Sequence, residues 1–220
     1  MKRILSFAAS IAALVLSVAS CDMIANTPVF APASSVAYNG QSMVMHRASF
    51  CDFRWSYDEN YCTITPNPTI NGAGEEAVAT FKFPSTDASN QKTLTIVAFN
   101  NEDEAQTTEQ PVLLCKWTLK LYDEEGNVIT KAPVGKKVYA RMVDLVTDKP
   151  VEHIQLRSIG NKDQYQSLVW SSNRYALLEE GYEEGDTYFA FVMKSVSTTF
   201  FIKATLGDSV SNELSVNAQN

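Results

Sequence analysis

Alternation restricts this chain more than any other feature. In KTLTIVAFN, residues 92–100, Leu94, Ile96 and Ala98 share one parity and Thr93 and Thr95 the other. Side chains of a strand point to opposite faces in turn, so such a segment buries one face and leaves the other wet. CKWTLKLYDEEGNVIT repeats the pattern: Cys115, Trp117, Leu119 and Leu121 oppose Lys116, Thr118 and Lys120, and Glu124 to Asn127 supply a hairpin turn. KKVYARMVDLV sets Val138, Ala140 and Met142 against Tyr139, Arg141 and Val143. After the turn Thr147–Pro150 come VEHIQLRS, the aromatic and β-branched runs DTYFAFVMKSV and TTFFIKATLGD, and a last strand in SNELSVN. No stretch beyond residue 21 keeps helical spacing. Strands of five to nine residues with turn signals every ten or so predict an all-β chain of antiparallel sandwiches.

The N-terminus follows a different rule. MKRILSFAASIAALVLSVASC places Lys2 and Arg3 ahead of an apolar run from Ile4 to Val18, then small residues and a cysteine. That is a secretory signal, too short for a membrane span. Val18-Ala19-Ser20-Cys21 resembles the lipobox of bacterial lipoproteins. The resemblance implies cleavage of residues 1–20, acylation of Cys21, and attachment to the bacterial outer membrane, on its periplasmic face or at the cell surface. One acyl chain holds a protein only marginally, whereas the several chains of this lipoprotein class anchor it stably. In Bacteroidetes-type surface lipoproteins an acidic run often follows the cysteine. Here only Asp22 does, so the membrane face stays open. Residues 21–34, with two prolines and no periodicity, read as a tether.

Loss of residues 1–20 removes Lys2 and Arg3 and no acid, so the formal charge moves from −7 by two units to −9. An acidic surface repels phosphate backbones and excludes nucleic acid as a natural partner. What remains of the 220 residues suffices for one large or two small domains. The polar, acidic segment NNEDEAQTTEQP, ending in Pro111, reads as a linker over 101–111, between a first domain at 29–100 and a second at 112–220.

The first domain resembles a PKD or related immunoglobulin-like module. Trp55 in FRWSYDEN stands where such modules have an aromatic-rich stretch, followed by ATFKFPS, residues 79–85, and the closing KTLTIVAFN. The second resembles a bacterial immunoglobulin-like domain, with VGKKVYARMVD near its start and TTFFIKATLGDSVSNELSV at its end. The resemblance implies two immunoglobulin-like β-sandwiches of the kind that serve as envelope spacers, adhesins or ligand-binding units, with a protein or glycan as ligand.

CDFRWSYDENYC, residues 51–62, admits two structures. Its odd positions Cys51, Phe53, Trp55 and Tyr57 are apolar or aromatic, and its even positions Asp52, Arg54, Ser56 and Asp58 are polar, which turns Trp55 toward a core. A tight hairpin centred at Glu59 sets Ser56 opposite Cys62, leaving Cys51 about five residues, or roughly 16 Å, out of register. A disulfide needs Cα atoms within about 7 Å, so hairpin and bridge exclude each other. Closing the loop through a Cys51–Cys62 bridge contributes roughly 3 kcal/mol. Exposing Phe53 and Trp55 costs about 1.5 to 3 kcal/mol apiece. The alternation favours the strand, with the bridge as the alternative. Cys115 lies on the apolar parity and reads as a buried thiol.

No catalytic motif is present: no nucleophile elbow, zinc signature or phosphate loop, and no cofactor site. The expectation is a non-enzyme. The two histidines, His46 and His153, lack metal-ligand spacing. Glu179, Glu180, Glu183, Glu184 and Asp186 crowd around two glycines and are a weak calcium candidate without a coordination pattern. Among the tryptophans, Trp117 reads as core. Trp170, with Tyr165 and Tyr175 nearby in sequence, is the best candidate for an exposed ring stacking on sugar. Two functions follow: a lipid-anchored binding, adhesion or assembly module of the cell envelope, or a glycan-binding accessory lipoprotein of an outer-membrane uptake system.

Overall fold

The computed structural model describes residues 27–47, 51–65, 77–151, 168–171, 183–184, 188–193 and 199–220. All regular structure among them is strand. Eight strands come first: β1 (Phe30–Pro32), β2 (Val36–Tyr38), β3 (Ser42–Arg47), β4 (Phe53–Ser56), β5 (Cys62–Thr65), β6 (Ala77–Phe81), β7 (Gln91–Asn100) and β8 (Thr107–Cys115). They form two four-stranded sheets, β1-β3-β6-β5 and β2-β8-β7-β4. All pairs are antiparallel except β2 with β8.

Ten more strands follow: β9 (Trp117–Tyr122), β10 (Val128–Ile129), β11 (Lys131–Pro133), β12 (Lys137–Asp144), β13 (Leu168–Ser171), β14 (Glu183–Glu184), β15 (Tyr188–Val192), β16 (Thr199–Leu206), β17 (Ser209–Val210) and β18 (Leu214–Gln219). Their sheets run β10-β9-β12-β15-β14 and β11-β18-β16-β13, with β17 on β16. Apart from β10 and β17, the two halves share one topology. The first, second, fifth and fourth main strands make one sheet, and the third, sixth and seventh make the other. A short parallel strand covers the last, as β2 on β8 and β11 on β18. That is the immunoglobulin strand order, ABED against CFG, formed twice.

Burial follows the parity of the sequence. Leu94, Ile96 and Ala98 are buried on β7, as are Trp117, Leu119 and Leu121 on β9 and Val138, Ala140 and Met142 on β12. Each sandwich has its own core, one around Phe30, Met45, Trp55, Ile64, Phe81 and Ile96, the other around Leu119, Val138, Phe191, Ile202 and Val216. Trp55 meets Phe30 edge-on at 4.7 Å and Phe53 at 4.8 Å. Such contacts add to plain burial.

Two expectations are corrected. Residues 51–62 do not form a hairpin. β4 joins β7 and β5 joins β6, so residues 57–61 arch from one sheet to the other. Within the arch, Tyr61 and Cys62 both donate to the Asp58 carbonyl. Phe53 and Trp55 face the core from one sheet, and Cys62 and Ile64 face it from the other. No disulfide joins Cys51 to Cys62. Burial pushes the Cys62 thiol up to about 12.

Nor is 101–111 a linker. Residues 107–111 open β8, which pairs with β7 from Phe99↔Thr107 to Gln91↔Cys115. Lys116 alone separates β8 from β9. The joint between the sandwiches centres on Asn39 and Asp144. Asn39 donates its backbone N–H to the Cys115 carbonyl (2.9 Å) and its Nδ2 to Ser209 Oγ (2.8 Å). It accepts from Phe83 N on Oδ1 (2.7 Å) and from Trp117 Nε1 on its carbonyl (2.8 Å). Asp144, buried at the end of β12, takes Val146 N and Thr147 N on Oδ1. It also hydrogen-bonds Tyr38 of the first sandwich and Cys115. Burial, and then that carboxylate, raise the Tyr38 phenol far above its ordinary range and push Cys115 up to about 12.

Candidate functional site

The outer parity of β9, β12 and β15 carries an uncommon set of side chains. Register brings Tyr122 of β9 opposite Tyr139 of β12, and Arg141 of β12 opposite both Lys120 of β9 and Tyr188 of β15. Ala190 lies opposite Tyr139 on the same face and is fully buried. Tyr139 and Tyr188 meet edge to face at 5.7 Å. The Arg141 guanidinium lies over all three tyrosines, at 4.9 Å from the Tyr139 ring, 5.3 Å from Tyr188 and 5.9 Å from Tyr122. Lys137 Nζ lies 5.8 Å from the Tyr139 ring.

The electrostatics of this face run against local rules. Like charges directly opposite on neighbouring strands destabilise a sheet, and Lys120 faces Arg141 in that way. Asp148, held at positive φ in the 144–148 turn, offsets Lys120 by an ion pair. Arg141 makes no ion pair among the described residues, and its buried Nε has no hydrogen-bond partner. Ring faces are what compensate its charge. Burial raises the Tyr122 phenol, with Lys120 and Arg141 pulling the other way, so the ring stays a neutral hydroxyl at ordinary pH. The face thus gathers three phenol rings around Arg141, with Lys120 and Lys137 on the same parity of an acidic chain.

A second cluster, on the first sandwich, is internally satisfied. Tyr61 donates to Asp87 Oδ2 (2.7 Å), Lys92 Nζ lies 3.6 Å from the Tyr61 ring, and Lys116 Nζ donates to the Asp87 carbonyl (2.6 Å). Hydrogen bonds from Ser89 and then Tyr61 hold the Asp87 carboxyl down at about 2. With every charge answered, this corner ties the β6–β7 loop to the arch.

Cys21, Tyr165, Tyr175, Glu179, Glu180, Asp186 and His153 lie outside the described residues. Glu183 and Glu184 form β14, an edge strand whose register partners are Ala190 and Phe189. Among the described residues no group of three His, Cys, Asp or Glu is placed to hold a metal. Trp170 is third of four in β13, opposite Ile202 of β16, which is fully buried. Trp55 is likewise third of four in β4, opposite fully buried Ala98. LVWS and FRWS are therefore the same strand of the two repeats, the one on which immunoglobulin sandwiches carry their tryptophan. The tyrosine–arginine face was half visible in the sequence, because parity already set Tyr139, Arg141 and Lys120 on the outer side. Only the register of three strands, which the sequence does not state, brings them together.

No family model and no curated protein matches the chain. Among solved structures it is similar to the N-terminal Ig1-2 module of the Drosophila receptor protein tyrosine phosphatase DLAR (9% identity, 88% of this chain and 100% of that one, TM-score 0.30). It is similar also to SGBP-B of the Bacteroides ovatus mixed-linkage glucan utilization locus, in complex with a mixed-linkage heptasaccharide (10% identity, 89% and 46%, TM-score 0.32). A third is the D00-D0 domain of intimin (8% identity, 86% and 98%, TM-score 0.31). Likeness at this level carries no weight for function. The fold stands on strand order, and the site on its own residues.

Proposed function

We propose that this chain is a lipid-anchored, non-catalytic binding module of a bacterial envelope, which meets a glycan on the outer face of β9, β12 and β15. One observation carries the reading: Tyr122, Tyr139 and Tyr188 are gathered around Arg141 on the outer parity of one sheet, with Tyr139 and Tyr188 only half-buried. Sugar rings present C–H faces that stack on aromatic rings, while hydroxyls find phenol and cation partners. The N-terminal signal and Cys21 supply the tether to the outer membrane. The first sandwich, joined to the second through Asn39 and Asp144, acts as a spacer that holds the binding face off the lipid. A protein ligand, for adhesion or assembly, is the competing use of the same face.

The test is a glycan array probed with the processed chain and with Tyr139→Ala. Tyr139 is only half-buried, so the substitution leaves the core intact. Loss of one stacking ring removes about 0.5–1.5 kcal/mol or more, so retained glycans should bind the variant about tenfold more weakly. An array with no bound glycan, or equal binding by both proteins, overturns the glycan reading.

A further inference from the structure

This inference rests on the reading above and narrows it. We propose that the ligand is an acidic glycan, whose carboxylates are taken by Arg141 with Lys137 and Lys120 beside it. Three observations support this. The chain is acidic overall, at −7, yet this face collects Lys120, Lys137 and Arg141. Arg141 and Lys120 oppose each other directly in register, a repulsion that an anion between them turns into attraction. Among the described residues, Arg141 has no carboxylate partner, whereas Lys120, at the rim, has Asp148. Departures from local rules that the fold itself does not need mark sites built for something else.

The chemistry of the side chain selects the anion. A guanidinium is a planar fork matched to the two oxygens of a carboxylate, and three tyrosine rings hold it between them. Fixing it in advance lowers the entropy lost on binding. A uronic acid residue offers both parts at once: a ring face for Tyr139 or Tyr188, and a carboxylate on the same ring for Arg141. Among the described residues, Glu183 lies a strand beyond the face, opposite Ala190, and Asp148 is taken up by Lys120.

The experiment compares four polymers on the processed chain by affinity electrophoresis and calorimetry: polygalacturonate, alginate, carboxyl-reduced polygalacturonate and dextran sulfate. A uronate polymer should bind, and its carboxyl-reduced form about tenfold or more weakly, the effect of losing one charge-assisted bidentate contact. Arg141→Lys keeps the charge and loses the fork. It should weaken uronate binding by a similar factor while thermal unfolding stays unchanged, and Arg141→Gln should do at least as much. Lys137→Ala should act mainly through the salt dependence. Equal affinity for native and carboxyl-reduced polymer, or no effect of Arg141→Lys, overturns the proposal. So does binding of dextran sulfate alone, which indicates charge without a fork. Binding confined to neutral glycans and still lost in Tyr139→Ala refutes the acidic ligand and leaves the glycan reading standing. Absence of binding to any glycan ends both.

Discussion

Gly40→Ala is expected to destabilise the protein by about 3 kcal/mol or more, the sum of backbone strain and of overpacking against a wall that cannot yield. Gly40 sits at φ +90 in the β2–β3 turn and packs on the backbone of the second sandwich. A Cβ there would stand 1.7 Å from the Leu206 carbonyl oxygen and 2.6 Å from Ser209 Cβ. Gly207, at φ +53, has the reciprocal constraint, with Gly40 O 2.4 Å from its own would-be Cβ. Gly126 separates the two effects. It has φ +85 with nothing within 4 Å of a Cβ, so Gly126→Ala carries only the conformational cost of about 1–2 kcal/mol. Urea unfolding of the three proteins checks this. Equal midpoints for Gly40→Ala and Gly126→Ala would mean that the two sandwiches do not press together at this point.

Trp55→Ala is expected to cost about 3–5 kcal/mol, the range for deleting a large aromatic from a packed core. Trp55 is 8% exposed and is braced edge-on by Phe30 and Phe53. Its buried Nε1 has no hydrogen-bond partner, so the indole contributes packing and not polar pairing. In antibody-type sandwiches a disulfide between the second and sixth strands shares this task. Here the cysteines lie elsewhere, and Met45 and Ile96 face the tryptophan's core without a cross-link. Typical domains hold about 5–15 kcal/mol, so the substitution should leave the first sandwich marginal or unfolded. Phe201→Ala, at a ring 40% exposed on the outer parity of β16, should shift stability by less than about 0.5 kcal/mol. Thermal unfolding followed by tryptophan fluorescence and circular dichroism reads both. A Trp55→Ala protein as stable as the parent would contradict the placement of the core.

The sequence revealed whatever depends on parity. Alternation located β7, β9 and β12 and turned Phe53 and Trp55 inward, because a half-buried strand writes its burial into every second residue. It failed where hydrogen bonding rather than burial holds the chain. The first half of β8, Thr107 to Gln110, buries no side chain, yet its backbone pairs with β7. Its sequence is that of a polar linker. Pro111 is tolerated there because β2 begins pairing only at Leu113, leaving that side of the backbone open.

The hairpin at 51–62 failed for a reason that was readable in principle. A turn centred at Glu59 sets Ser56 opposite Cys62 and Trp55 opposite Thr63, pairing each inward residue with an outward one. Residues directly opposite share a face, so that register cannot bury both sets. An arch between sheets can, since Trp55 and Ile64 then approach one core from its two sides. Gly40 reads only as the glycine of a turn, YNGQ. Its partner Gly207 lies far along the chain, and no local pattern announces their contact. The binding face shares that limit: its tyrosines and cations come from three strands whose register is a property of the sheet.

Hydrogen exchange on the processed full chain, with and without a uronate polymer, tests most directly whether the second sandwich's outer face is where this protein meets its ligand. Protection on binding should concentrate in residues 118–122, 137–141 and 188–192, with the strands of the first sandwich unchanged. Protection confined to the first sandwich, or a bound polymer that leaves those three strands as they were, would contradict it.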